Sequence, residues 1–273
     1  MDIVLILGLI VLSMAAGLIG SLFGLGGGII VVPVLTILYG MPAAEAAAVS
    51  LVAIVAISST SASSLIKERV TNVRIGLVIE VAAVSGAVVG AVIALHVESW
   101  VIALCFACVL IYSAIYMFLR HERIIPYDPS SDGKNFVYHD SKTNNDVPYS
   151  VKNLGTGSVG FALAGITSAL SGVGGGSIKI PVMNVHMHIP MKAATATSSY
   201  VIGITAFGGA AVFLLSGLLD IEAAAFVVVG AFVGSLMGLR LLPKFNAGAL
   251  RRYFSVLLLF LASVMLLNVG GFL

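Results

Sequence analysis

Gly24-Leu25-Gly26-Gly27-Gly28-Ile29-Ile30-Val31-Val32-Pro33 returns 148 residues later as Gly172-Val173-Gly174-Gly175-Gly176-Ser177-Ile178-Lys179-Ile180-Pro181. The register holds on both sides. Gly17 lies over Gly165, Pro42 over Pro190, Ala46 and Ala48 over Ala194 and Ala196, Ser50 over Ser198, and Gly86 and Gly90 over Gly234 and Gly238. Between positions 17 and 50, 13 of 34 residues are identical to their counterparts. Three consecutive glycines, a proline five residues on and a second proline nine beyond that are not matched by Gly and Ala abundance alone. The chain reads as a duplicated unit, and each unit carries one glycine-broken segment.

Composition says where such a unit lives. Of 273 residues, 59% are apolar and 10% charged, against about 25% charged in an ordinary soluble domain. Mean hydropathy is +1.12. Ten of the 26 charged residues fall within 120–152, which leaves 16 for the other 240. So few charges cannot cover a water-facing surface, and this excludes a soluble enzyme or a disordered chain. A net charge of +2 spread this thinly offers no footprint for nucleic acid. The fold class is an all-α polytopic membrane protein.

Apolar runs at 3–23, 43–66, 75–97, 99–119, 154–173, 193–219, 221–242 and 249–273 are of the ~20 residues a spanning helix needs. The runs 29–39 and 178–190 are shorter, and each follows a glycine cluster. One helix over 2–40 would reach ~58 Å against a hydrocarbon core ~30 Å thick. The chain must therefore turn back at the glycines, either re-entrant or fully spanning. The division is a membrane repeat over 1–119, a polar loop over 120–152 and a second membrane repeat over 153–273. Asp2, rather than a basic flank, precedes the first run, so it is expected to stay as the first helix. Within the loop, 136–139 and 147–151 predict a short β-hairpin.

Basic residues orient the chain. Lys67, Arg69 and Arg74 share one connection; Arg120, Arg123, Lys134, Lys142 and Lys152 lie in the central loop; Arg240, Lys244, Arg251 and Arg252 flank the last connection. All three are placed inside, with the 120–152 loop cytoplasmic and both termini outside. The counterpart of the 67–74 connection is 215–222, which holds Asp220 and Glu222 and no base. The charge bias thus flips sign between the halves. Two inverted-topology repeats are expected, each a glycine-broken hairpin followed by three transmembrane helices. Inverted repeats with broken helices are the layout of secondary transporters. Backbone N–H groups freed by a break are tolerated only where they line a polar cavity, and a helix N-terminus favours an anion.

The two G-x-G-G-G-x-x-x-x-P segments, and the M-P and I-P steps at 41–42 and 189–190, resemble those of the TauE/SafE family of membrane permeases, the sulfite exporter or TSUP family. The resemblance covers both halves, and the 120–152 loop is longer than the family leads one to expect. It implies transport of sulfur-containing anions such as sulfite, sulfoacetate and taurine-like sulfonates. The residues themselves support only an anion; the expectation is a secondary transporter of small anions that works by alternating access, with ion coupling. Open alternatives are a passive anion channel or facilitator, and a carrier of carboxylates or amino acids. An enzyme is not expected. Ser171 and His186 lack a third orienting group.

The candidate substrate-binding residues are Gly26, Gly27, Gly28, Gly174, Gly175 and Gly176, which can offer backbone N–H donors or simply permit close helix packing. Lys179 is the one base within an apolar run beside a break. An intramembrane charge is costly and marks function. Ser177, Ser50 and Ser198 complete the set, the last two because the repeat places them alike. Glu45 and Glu80 are the acids away from loop edges and are candidates for the coupling proton. Glu45 also suits a first helical turn, and Glu80 could pair with a base. Further hydroxyls run from Ser58 to Ser64. No cofactor or metal is expected: Cys105 and Cys108 lie in an apolar run, and His186 and His188, two apart, do not share a helix face.

Overall fold

The computed structural model describes residues 3–119, 134–140, 145–241, 256, 259–264, 266 and 267. Both termini and the bases Arg120, Arg123, Lys142, Lys244, Arg251 and Arg252 lie outside the described residues, as does much of the last apolar run. The first half comprises α1 (Ile3–Phe23), α2 (Gly28–Pro33), α3 (Ala43–Lys67), α4 (Val73–Ala94) and α5 (Ser99–Leu119). The second comprises α6 (Leu154–Ser171), α7 (Gly176–Pro181), α8 (Met191–Leu215) and α9 (Ile221–Leu241). Among the described residues, six helices are long and apolar enough to cross a bilayer: α1, α3, α4, α6, α8 and α9.

Local chemistry sets the boundaries. Gly24, Gly26 and Gly27 take φ of 68°, 83° and 75°, and Gly172, Gly174 and Gly175 take 68°, 85° and 74°. That left-handed backbone is open to glycine at no steric cost, so the chain leaves α1 and α6 at the two clusters. Each short leg then meets a proline, Pro33 or Pro181, which lacks an N–H and crowds the preceding turn. The helix answers by widening into a π-helical turn, Val34–Leu38 after α2 and Val182–His186 after α7. Both turns close alike, Met41 N–H donating to Leu35 O at 3.0 Å and Ile189 N–H to Met183 O at 2.9 Å. The first leg runs back along α1, where the Tyr39 hydroxyl donates to Leu5 O at 2.7 Å.

The halves interlock rather than sit side by side. α1 packs on α9, α4 packs on α6, and α3 crosses α8. Glycines make these contacts close, and they recur at the repeat spacing. A Cβ on Gly234 would collide with Met14 O, and one on Gly86 with Ala162 O. Gly238 and Gly90 face Leu18 O and Ile166 O, and Gly17 and Gly165 face Ala231 O and Ala83 O in the same way. Along α3 and α8 the order reverses. Leu51 lies at Gly209, Val55 at Gly203, and Ser58 at Ser199 and Tyr200. α3 and α8 therefore run antiparallel, and Val55 and Gly203, one repeat apart, meet where the halves exchange.

Among the described residues, the helices are joined by one antiparallel hairpin, β1 (Lys134–Asp140) and β2 (Asn145–Val151), with Phe136 opposite Tyr149 and Tyr138 opposite Val147. It covers both expected segments. It is no free tether. Tyr138, Tyr149 and Val151 are buried against Ile75, Ile79, Met183, Met187 and Val201. Asn72 caps α4 by accepting from Ile75 N–H at 3.1 Å, donates its side-chain amide to the Tyr149 hydroxyl at 2.7 Å, and donates its own N–H to Thr197 Oγ1 at 3.0 Å. Burial pushes the Tyr149 hydroxyl above its ordinary pKa.

Candidate functional site

The two breaks meet at the centre of the bundle. A Cβ on Gly28 would collide with Gly172 O, and one on Gly176 would lie 2.8 Å from Gly24 O. Gly26 and Gly174 both rest on the same pair, Ile54 of α3 and Ile202 of α8. A Cβ on Gly27 would lie 2.8 Å from Ala16 O, and one on Gly175 would lie 2.7 Å from Ala164 O. So all six glycines are needed for close approach, whatever else their N–H groups do.

Hydroxyls decorate this crossing unequally. Ser50 Oγ donates to Gly172 O at 2.6 Å and thereby holds the opposite break. Its one hydroxyl proton is thereby placed on backbone. Its counterpart Ser198, fully buried, has no partner for its hydroxyl, nor does Ser177 in the first turn of α7, nor Ser168 on α6. Buried polar atoms are rarely left unpaired. Ser58 Oγ donates to Ser199 O at 2.7 Å and accepts from Gly203 N–H at 3.0 Å. It thus joins the carbonyl and amide that an α-helix links directly. Ser58→Ala, which leaves that buried pair short of a partner, is expected to cost about 1–3 kcal/mol. Ser59→Ala, on an exposed hydroxyl bonded within its own helix, should be near neutral. Thermal unfolding of the detergent-purified protein compares the two.

Lys179 is fully buried. Its ammonium donates to Glu80 Oε2 at 2.9 Å and Oε1 at 3.1 Å, donates to the Thr205 hydroxyl, and lies 5.5 Å from the Phe161 ring centre. Thr205 in turn donates to Glu80 Oε1. Glu80 is itself only 2% exposed. Four helices supply this cluster: α4 the acid, α7 the base, α8 the hydroxyl and α6 the ring. Glu45, by contrast, sits half-buried in the first turn of α3 and bonds to none of them. The structure joins Glu80 to Lys179 and leaves Glu45 apart.

The charged cluster has no twin. One repeat away from Lys179 stands Val31, from Glu80 Val228, from Thr205 Ile57 and from Phe161 Ser13. Comparison at the repeat spacing would have found Thr205, the residue missed from sequence: it is where an aliphatic position of one half becomes a hydrogen-bonding one in the other. The hairpin lies on the loop side of this cluster. Asn72, which bonds to the hairpin through Tyr149, and Thr197, which bonds to Asn72, each precede a cluster residue by eight positions, or about 12 Å of helix. Ile75, Ile79 and Val201 fill the interval and are buried.

Comparisons with known proteins agree on the kind of molecule. A family model described as "Sulfite exporter TauE/SafE" matches residues 9–265. A probable membrane transporter protein of Bacillus subtilis, YunE, is 28% identical over 240 residues, 84% of this chain and 86% of that relative. A probable membrane transporter protein of Methanocaldococcus jannaschii is 26% identical over 95% of this chain and 94% of its own length. One from Haemophilus influenzae is 22% identical over 94% of each. No solved structure matches.

Proposed function

We propose that this chain, which belongs to the sulfite exporter TauE/SafE family, is a secondary transporter that moves small sulfur-containing anions across the cell membrane by alternating access. It is a multi-pass membrane protein and not an enzyme. Its halves are taken as inverted across the bilayer, with the 120–152 loop cytoplasmic and both termini outside. The antiparallel crossing of α3 and α8, and the contacts that recur at the repeat spacing, support that reading.

One observation carries the proposal. Two glycine-broken helices meet at the point of half-exchange, with buried hydroxyls lacking partners and the fully buried Lys179 within reach of the same helices. Irregular backbone inside a bilayer is stable only where it is packed in protein or lines a cavity. Here it would do both in turn: closed in this conformation, open to one side when the halves rock about α3 and α8. Lys179 supplies the positive charge. Ser177, Ser198 and the N–H groups of Gly26 to Gly28 and Gly174 to Gly176 supply donors to sulfonate or sulfite oxygens. Glu80 rather than Glu45 carries the coupling proton, because it alone touches the cation.

The test is uptake into proteoliposomes of labelled sulfite, thiosulfate, sulfoacetate and taurine, each with and without an imposed proton gradient. Accumulation of at least one above its external concentration, only under the gradient, is the expected result. A folded protein in sealed vesicles that moves none of them would overturn the substrate class. Flux that merely equilibrates would replace carrier by channel.

A further inference from the structure

We infer that the Glu80 carboxylate is a tethered occupant of the anion site of Lys179, so that each incoming anion must arrive with one proton. This deepens the reading above and rests on it. The geometry is that of an anion already bound. Both carboxylate oxygens lie within 3.1 Å of the ammonium, Thr205 steadies one of them, and neither partner reaches solvent. A sulfonate or sulfite offers the same arrangement of oxygens, so it competes for the donors that Glu80 holds.

Electroneutrality of the buried site then sets the stoichiometry. The free site holds one ammonium and one carboxylate and is neutral. Adding a monoanion alone leaves a net negative charge in a water-poor interior, which is costly. If a proton from the aqueous cavity binds Glu80 as its oxygen leaves Nζ, the site holds an ammonium, a neutral carboxyl and the anion. The sum is again zero, and Lys179 keeps its own proton. Among the described residues, Glu80 and Lys179 have no ionisable partner but each other. Among the described side chains of the surrounding elements, the other titratable groups are Glu45 and Lys67 on α3, Arg74 on α4, Cys105, Cys108 and Tyr112 on α5, His186 after α7, Lys192 and Tyr200 on α8, and Tyr138, His139, Asp146 and Tyr149 on the hairpin. None is in the cluster, and α6 carries none. The unequal halves add to the argument. Val31, Val228 and Ile57 occupy the equivalent positions, so the molecule has one such site and takes one proton per anion.

Isethionate is the suitable ligand, because its sulfonate charge does not titrate over the working range. Equilibrium binding of labelled isethionate to the purified, detergent-solubilised chain is measured from pH 5.5 to 8. The wild type should lose affinity by about tenfold per pH unit while Glu80 is ionised in the free protein. Isethionate added in weak buffer should draw one proton from solution per molecule bound, a readout that needs no variant. Glu80→Gln should bind isethionate with an affinity that no longer changes with pH. In proteoliposomes, wild-type flux should follow the pH gradient and ignore membrane potential. Binding without proton uptake, or the same pH slope in wild type and Glu80→Gln, would overturn the inference while leaving the carrier reading intact. Binding and transport of no sulfur anion at any pH, by a folded protein, would remove both.

Discussion

Replacing Lys179 with methionine will abolish anion flux and destabilise the protein, and the two effects will separate in a double variant. Alone, Lys179→Met strands Glu80 as a buried acid without a counter-charge, held only by the Thr205 hydroxyl, and breaking a buried ion pair from one side costs about 3–5 kcal/mol. Lys179→Met with Glu80→Gln removes both charges. Thr205, which now sits between them, keeps an amide to bond. Apolar or neutral replacement of a whole pair is often tolerated, so thermal unfolding should recover most of the loss. Flux should not recover, because the cation that attracts substrate is gone. Recovery of flux with stability would mean that the pair only holds helices together.

Gly28→Val will fail at an earlier stage, in assembly of the crossing itself. Its Cβ would collide with Gly172 O and stand 2.7 Å from Ser50 Oγ and 3.0 Å from Ile54. Two of these three lie on backbone or on a hydroxyl already bonded to that backbone, so nothing there yields cheaply. Overpacking a tight core costs about 1–3 kcal/mol and more when backbone must move. The expected outcome is low yield of monodisperse protein and no flux. Gly155→Ala is the contrast. A Cβ there meets nothing within 4 Å, and alanine favours a helix, so it should leave yield and flux unchanged. Equal loss in the two variants would show that the crossing has slack.

These expectations show how far the primary structure could be read. The glycine clusters, their prolines and the 148-residue spacing marked the breaks, because left-handed backbone and missing N–H groups are properties of single residues. The membrane helices were legible from apolar run length, and the hairpin from β-branched and aromatic residues bounded by turn formers. What the chain could not disclose was partnership. Glu80 and Lys179 are 99 residues apart, on helices of different halves, and Thr205 has no local feature that distinguishes it from Thr195 or Thr197. Ser50 and Ser198 look equivalent at the repeat spacing. Only the fold reveals that one hydroxyl is spent on the opposite break and the other is free. Nor does the 120–152 composition announce that Tyr149 docks on Asn72. That contact depends on where α4 and α8 end, not on the loop.

Counterflow tests the central claim most directly. Proteoliposomes loaded with unlabelled sulfite are diluted into buffer holding a trace of labelled sulfite, with no proton gradient and the potential clamped. A carrier whose site faces one side at a time should draw label inward above its external level, reach a peak and then decay as the unlabelled pool drains. Lys179→Met with Glu80→Gln should give no peak. A monotonic approach to equilibrium in the wild type, with the same time course whether or not the vesicles are preloaded, would contradict alternating access at this site.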